Sequence, residues 1–170
     1  MSVPGTPSPP GSSLPGWSEQ AYVGWVRSAL DVAAGAAASG DVPVGAVVVG
    51  PDGVEVGRGR NVREELGDPT GHAEVVALRA AGRALGSWRL QGCMLVVTLE
   101  PCAMCAGAAV LARVDRIVFG AFDPKAGACG SVWDLPRDRR ALHRPEVVGG
   151  VLEGECSALL LRFFEAQRLG

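Results

Sequence analysis

Aromatic residues are scarce in this chain, at 5% of 170 residues. A core with so few large rings has to be built from Ala, Val and Leu. Positive charge is not in excess either. The formal net charge of −2 excludes the global basic field that would by itself announce a nucleic-acid partner, although a local basic patch would suffice for one. No apolar run approaches the ~20 residues needed to span a bilayer. The N-terminus has no Lys or Arg ahead of a hydrophobic stretch, so it does not read as a secretory signal. Cysteine is present but in the wrong pattern for a secreted disulfide scaffold: five residues, an odd number, unevenly spaced. Reduced thiols are the simpler expectation, and with them a cytoplasmic location. What remains is ordinary for a globular protein, 48% apolar residues in a length that fits one domain with a real core.

The chain divides early. Residues 1–16, MSVPGTPSPPGSSLPG, are almost all Pro, Gly, Ser and Thr and cannot bury enough apolar surface to offset the entropy of ordering them. They are expected to form a disordered tail, leaving 17–170 as the folded unit. Within that unit, mixed three- and four-residue apolar steps predict a helix over 17–40, with Ser18 as N-cap and Gly40 as its stop. A β-branched run (44–50), the turn tripeptide Pro51-Asp52-Gly53 and the stretch 54–60 predict a hairpin. A loop over 61–71 precedes a helix of good formers over 72–85. Strand 93–99, helix 102–113, strand 116–120, a glycine-containing loop over 122–131, a short edge strand over 146–151 and an amphipathic helix over 152–169 follow. This order predicts a three-layer α/β/α sandwich around a mixed five-stranded sheet.

One stretch calls for chemistry. TLEPCAMCAGA (98–108) holds two cysteines three residues apart at the start of a predicted helix. They suit a redox pair, half of a metal site, or small core residues. A redox role lacks the aromatic flank of thioredoxin-like sites. At i, i+3 both sulfurs share one helix face, and a helix N-terminus favours thiolate. Of the two histidines, His72 and His143, His72 also opens a predicted helix. Two thiolates and one imidazole make three tetrahedral zinc ligands and leave a fourth position for water, as in catalytic zinc sites. Glu74, two residues after His72, can reach that water as a proton carrier. His-x-Glu followed by Pro-Cys-x-x-Cys is the signature of zinc-dependent nucleobase deaminases.

The likeness extends further. DVPVGAVVV, NVREELGDPTGHAEVVALR, LEPCAMCAGA and IVFGAFDPKAGACGS resemble the bacterial tRNA-specific adenosine deaminases, from about Trp17 to Arg168. The resemblance implies a cytidine-deaminase-like fold, one Zn²⁺ per subunit and a homodimer. It also implies hydrolytic conversion of adenosine to inosine at the wobble position of a tRNA anticodon stem-loop, in an arginine tRNA. Carried over, His72, Cys102 and Cys105 would hold zinc and Glu74 would shuttle the proton. Asn61 would hydrogen-bond the base, Val44 would form the apolar floor beneath it, and Ala73 would offer a backbone group. Asp123 would contact the neighbouring nucleotide, and Phe164 would lie near flipped-out nucleotides, as suits single-stranded RNA.

Each of these residues has a structural reading as well. Asn61 can cap a turn, Val44 is strand core, and Asp123 before Pro124 opens a turn. Phe163 and Phe164 are adjacent, so at most one readily faces the core. Cys93, Cys129 and Cys156 read as small core or loop residues, His143 as structural or a minor RNA contact, and the four tryptophans as core and interface. The chain departs from the family where an Arg is frequent and Phe122 stands instead. Arg137, Arg139, Arg140, Arg144 and Lys125 could restore the charge for phosphates. Two rivals remain: a guanine or other free-base or nucleoside deaminase, whose terminal helix would close over the site, and a zinc-stabilised RNA-binding module without turnover, which would have no need of Glu74.

Overall fold

A computed structural model describes residues 16–169, with the backbone alone at Leu169. All but the last residue of the expected tail lies outside the described residues. The elements are α1 (Glu19–Ala34), β1 (Gly45–Val49), β2 (Glu55–Arg60), α2 (Arg63–Leu66), α3 (Ala73–Leu85), β3 (Met94–Leu99), α4 (Ala103–Leu111), β4 (Arg116–Ala121), β5 (Glu146–Val148) and α5 (Glu153–Leu169). The sheet has the order β2-β1-β3-β4-β5. β1 pairs antiparallel with both neighbours, while β3, β4 and β5 are parallel. The expected mixed five-stranded sheet is therefore present.

Alternation along β1 builds both helical layers. Ala46 and Val48 turn to the cluster that includes Ala73, Ala77, Ala81, Ala106 and Ala109 of α3 and α4. Val47 and Val49 turn to the cluster with Val26 of α1 and Cys156 of α5. Successive side chains of a strand point to opposite faces, so an unbroken β-branched run suits a strand covered on both sides. The small residues have a second use. A Cβ placed on Gly57 or Gly59 would stand 2.6 Å from backbone atoms of α3, so α3 lies directly against the backbone of β2. The Ala stripe at i, i+4 on α3 meets two glycines of the strand, a contact that large aromatic side chains would prevent.

Three stretches depart from expectation by more than two residues. Ser18 caps α1 as expected, its hydroxyl accepting from the Ala21 N–H, but α1 stops at Ala34. Gly40, in the left-handed conformation, closes a separate 3-10 turn (Ala37–Ser39). The expected loop 61–71 contains the one-turn helix α2. Its cap is distant in sequence: the Asp41 carboxylate accepts from the N–H groups of Glu64 (2.8 Å) and Glu65 (3.2 Å), a partner that no local window contains. The short edge strand ends at Val148. α5 docks through Cys156 and the partly buried Leu160, but Leu161 and Phe164 stand exposed, so its second half is less of an amphipathic packing element than its sequence implies. No helix among the described residues is long and apolar enough to cross a membrane.

Candidate active site and metal centre

Strand direction gathers the functional groups on one rim of the sheet. β3 and β4 end there, and Cys102 and Asp123 follow them. β1 runs the other way, so its start comes to the same rim: the Gly45 N–H donates to Thr98 Oγ1 at the end of β3. β2 returns to it, and Asn61 follows β2 with its N–H on the Val44 carbonyl. α3 and α4 both begin at this rim.

His72 and Cys102 are the N-cap residues of α3 and α4, both in extended conformation, and neither side chain makes a capping bond. The position usually held by Ser, Thr, Asn or Asp is given to metal-type donors whose side chains stay available. Cys105 sits in the first turn of α4. His72 Nδ1 lies 3.6 Å from Cys102 Sγ and 3.5 Å from Cys105 Sγ, and the three ligand atoms all fall within 4.8 Å of one another. The donor set of one nitrogen and two sulfurs, converging from two helix starts, fits a single zinc ion with one position left open.

The charge balance agrees. The hydrogen bond from Cys105 outweighs burial and, with His72 beside it, lowers the Cys102 thiol to about 3. Cys105 is correspondingly driven far up, by its contact with Cys102 and by burial. Before metal binds, the pair therefore shares one negative charge and retains one proton. His72 is raised, first by its hydrogen bond to Cys102 against the opposing effect of burial. Glu74 is 4% exposed. Burial, its largest influence, outweighs its own N–H and the charge of His72, and brings its carboxyl up to about 7. A carboxyl near neutrality can both take and give a proton.

These residues line a cavity of about 180 Å³ whose wall includes Val44, Asn61, His72, Ala73, Glu74, Cys102 and Asp123. Seven of the nine sequence-derived site residues thus meet there. Cys105 is not part of the wall, but its Sγ stays within 4.8 Å of the other two donor atoms. Phe164 does not reach the cavity; it lines an adjoining groove of about 560 Å³ that shares Asn61 and Arg63 with it. The Asn61 amide donates to the Val42 carbonyl (3.2 Å) and its Oδ1 accepts from the Arg63 N–H (3.4 Å), so it also caps its turn. Asp123 Oδ1 likewise accepts from the N–H groups of Lys125 and Ala126.

Sequence reasoning passed over two residues. Arg63 is an exposed cation shared by cavity and groove; its nearness to Asn61 in NVREE was the available signal. Glu100, 2% exposed, stands in the quoted motif just before Pro101. Its carboxylate accepts from the backbone of Asp123, Cys129 and Ser131. Phe122 packs edge-on against Phe119 (5.1 Å) and remains half exposed. Arg137 and Arg140 are engaged by Asp134 and Asp138, so part of the basic cluster is spent locally. Cys93, Cys129 and Cys156 are buried and free, with burial pushing Cys129 to about 12 and Cys156 to about 11. The His143 ring donates to the Val114 carbonyl, a structural use. Trp17 and Trp25 pack together, but Trp88 and Trp133 are exposed and are not core.

Residues 20–121 match the cytidine and deoxycytidylate deaminase zinc-binding region. The chain is 47% identical over 144 residues to the tRNA-specific adenosine deaminase of Bacillus subtilis (strain 168), covering 85% of this chain and 89% of that one. The chain belongs to the tRNA-specific adenosine deaminases of the cytidine and deoxycytidylate deaminase family. A solved structure from work on A-to-I editing by tRNA:A34 deaminases at the wobble position of transfer RNA matches with a TM-score of 0.77 and 42% identity, over 81% of this chain and 99% of that one. A guanine deaminase from Nitrosomonas europaea, a more distant relative in structure, gives a TM-score of 0.70 at 25% identity over 83% of each chain. The fold is thus common to both structures, and the identity to the tRNA deaminase is the higher of the two.

Proposed function

We propose that this protein hydrolyses adenosine to inosine at the wobble position of a tRNA anticodon, in an arginine tRNA, acting as a homodimer in the cytoplasm. The observation that carries the substrate choice is the continuity between the small cavity and the larger groove lined by Arg63 and Phe164. A free base fills a closed pocket, whereas here the terminal helix leaves the cavity opening onto a surface with a cation for phosphate and a ring for stacking. The family membership and the 42–47% identities to tRNA deaminases support the same reading.

In this mechanism His72, Cys102 and Cys105 hold zinc. When bound, the metal supplies the Lewis-acid polarisation that brings a water nucleophile within reach of neutral pH. Glu74, buried in the same cavity wall, would take the two protons of the water in turn, passing one to N1 of the base and the other to the leaving amino group. The water oxygen replaces nitrogen at C6 of adenine and ammonia departs. Asn61 presents an amide, donor and acceptor together, to the purine edge. Val44 supplies the apolar floor and Ala73 a backbone group, while Asp123 and Phe164 meet the flanking nucleotides.

We take residues 17–170 as the catalytic unit, and every residue that walls the cavity falls within it. An apolar groove of about 630 Å³ between α3 and α4, lined by Leu78, Leu90 and the exposed Trp88, supports docking of a second subunit. The five free cysteines suit a reducing compartment. The deciding experiment measures ammonia release and inosine formation on an anticodon stem-loop with wobble adenosine, free adenosine, and guanine. Inosine in the stem-loop alone is the expected outcome; turnover of guanine alone would keep the metal chemistry and overturn the substrate.

A further inference from the structure

The loop 123–131 has neither helix nor strand, yet Asp123 and Ala126 help wall the cavity. Backbone bonds such as Gly127 N–H to the Asp123 carbonyl and Ala128 N–H to the Pro101 carbonyl hold its middle, and Glu100 ties its two ends together. Oε1 accepts from the N–H groups of Cys129 and Ser131, each at 3.0 Å, and Oε2 from the Asp123 N–H at 3.0 Å and from the Ser131 hydroxyl. Four donors meet the four acceptor sites of one carboxylate. The loop also closes down on it: a Cβ at Gly127 would overlap the Glu100 carboxylate.

We propose that Glu100 is a positioning residue for the nucleotide beside the reacting base, acting through Asp123. This rests on the tRNA reading above. The chemistry favours a carboxylate, because three of the four groups facing it are backbone N–H groups that can only donate. A Gln of the same size must point its NH₂ at one pair. Toward Cys129 and Ser131 it would meet two backbone N–H groups, neither of which can turn away. Toward the other pair it would meet the Ser131 hydroxyl, which can rotate to accept, and the Asp123 N–H, which cannot. The less costly orientation therefore releases Asp123 in particular. A buried donor stripped of its partner is expensive, so the loop start shifts away from Oε2 and carries the Asp123 side chain with it.

The test uses the full-length zinc-loaded protein and an anticodon stem-loop with wobble adenosine. Glu100→Gln is expected to retain one zinc per chain, raise KM and the Kd for the inosine product stem-loop about tenfold, and lower kcat by less than about threefold, the scale of a lost buried hydrogen bond expressed in binding. Asp123→Ala should shift KM similarly, and the double variant should be no worse than either single one, because both remove one contact. Additive losses, a fall confined to kcat, or loss of zinc from Glu100→Gln would overturn the proposal, the last by assigning Glu100 to the metal scaffold. Should Glu100→Gln fail to fold, Glu100→Asp, which keeps the charge but draws the carboxylate back from the Asp123 N–H, decides the matter: retained zinc with a KM rise of several-fold supports the proposal, and an unchanged KM overturns it. Wild-type inactivity on the stem-loop sinks the tRNA reading and this inference together, whereas wild-type activity with additive variants sinks this inference alone.

Discussion

His72 and Cys102 hold the same station in two different helices, each the last extended residue before the first turn, with Nδ1 and Sγ 3.6 Å apart. Two helix starts thus meet through side chains that cap neither helix. Replacing Cys102 with Ser should reduce bound zinc to below about a tenth of one equivalent, abolish deamination and lower Tm, because a structure-linked metal contributes folding energy. Zinc content by atomic absorption and a melting curve check this. Full zinc occupancy in Cys102→Ser would remove it from the ligand set. Adding zinc to metal-free wild type in weak buffer should also release protons, since Cys105 keeps its proton until a metal displaces it.

Glu74→Gln should keep zinc and fold while kcat falls about 10²- to 10⁴-fold, the usual scale of general acid–base catalysis. Stability gives a second readout in the metal-free protein. The folded carboxyl is raised from 4.5 to about 7, so the unfolded chain gives up its proton first. Stability linked to this group is complete below pH 4.5 and drains away as pH rises toward 7. The metal-free Gln variant should gain on metal-free wild type across that window. Parallel stability–pH curves for the two proteins would contradict the buried placement of Glu74.

Gly59→Ala should destabilise the protein by about 1–3 kcal/mol, the cost of overpacking, because its Cβ would press on the Ala73 carbonyl of α3 at 2.6 Å. Since α3 begins beside His72 and carries Glu74, activity should fall along with stability. Gly24→Ala serves as the comparison. It is exposed within α1, with nothing within 4 Å of the new Cβ, and should gain about 0.5–1 kcal/mol from helix propensity. Urea titrations of both variants measure the contrast. Equal effects would mean that α3 does not rest on β2.

Asp41→Asn should flatten the acid limb of the stability curve. Burial works against the charge of Asp41, but the N–H groups of Glu64 and Glu65, the Ser39 hydroxyl and Arg60 outweigh it and hold the pKa below 3.8. A depressed pKa gives stability that is complete above the ordinary value and is lost as pH falls through the folded one. Thermal melts from pH 5 to pH 2 should therefore show wild type losing more than Asp41→Asn. Identical acid limbs would mean that the carboxylate does not cap α2.

The hairpin, the α3 and α4 helices and the strands between them were legible because their signals are local: β-branched runs, a Pro-Asp-Gly turn, good helix formers behind His72. The three ligands were legible because chemistry limits the choices, with one paired cysteine motif and few histidines. What escaped was contact at a distance. The cap of α2 comes from Asp41, more than twenty residues upstream of it, and four of the bonds that tie the ends of the loop 123–131 come from Glu100. The partial docking of α5 depends on how much of the sheet is left to cover, and its own periodicity carries no record of that. Which of the four tryptophans would be core was not legible for the same reason, since burial is decided by neighbours.

The reversed direction of β1 has one more effect. By bringing its first residue to the rim where β3 and β4 end, it leaves the opposite rim to connections and the chain's entry: the Pro51–Gly53 hairpin tip with Trp17 against it, the passage between α3 and β3, the step from α4 into β4, and the approach to β5. None of the residues that wall the cavity belongs to those turns. The molecule is therefore divided between an end that must stay as it is and an end that can lengthen, shorten or join another domain while the chemistry at the first end is untouched.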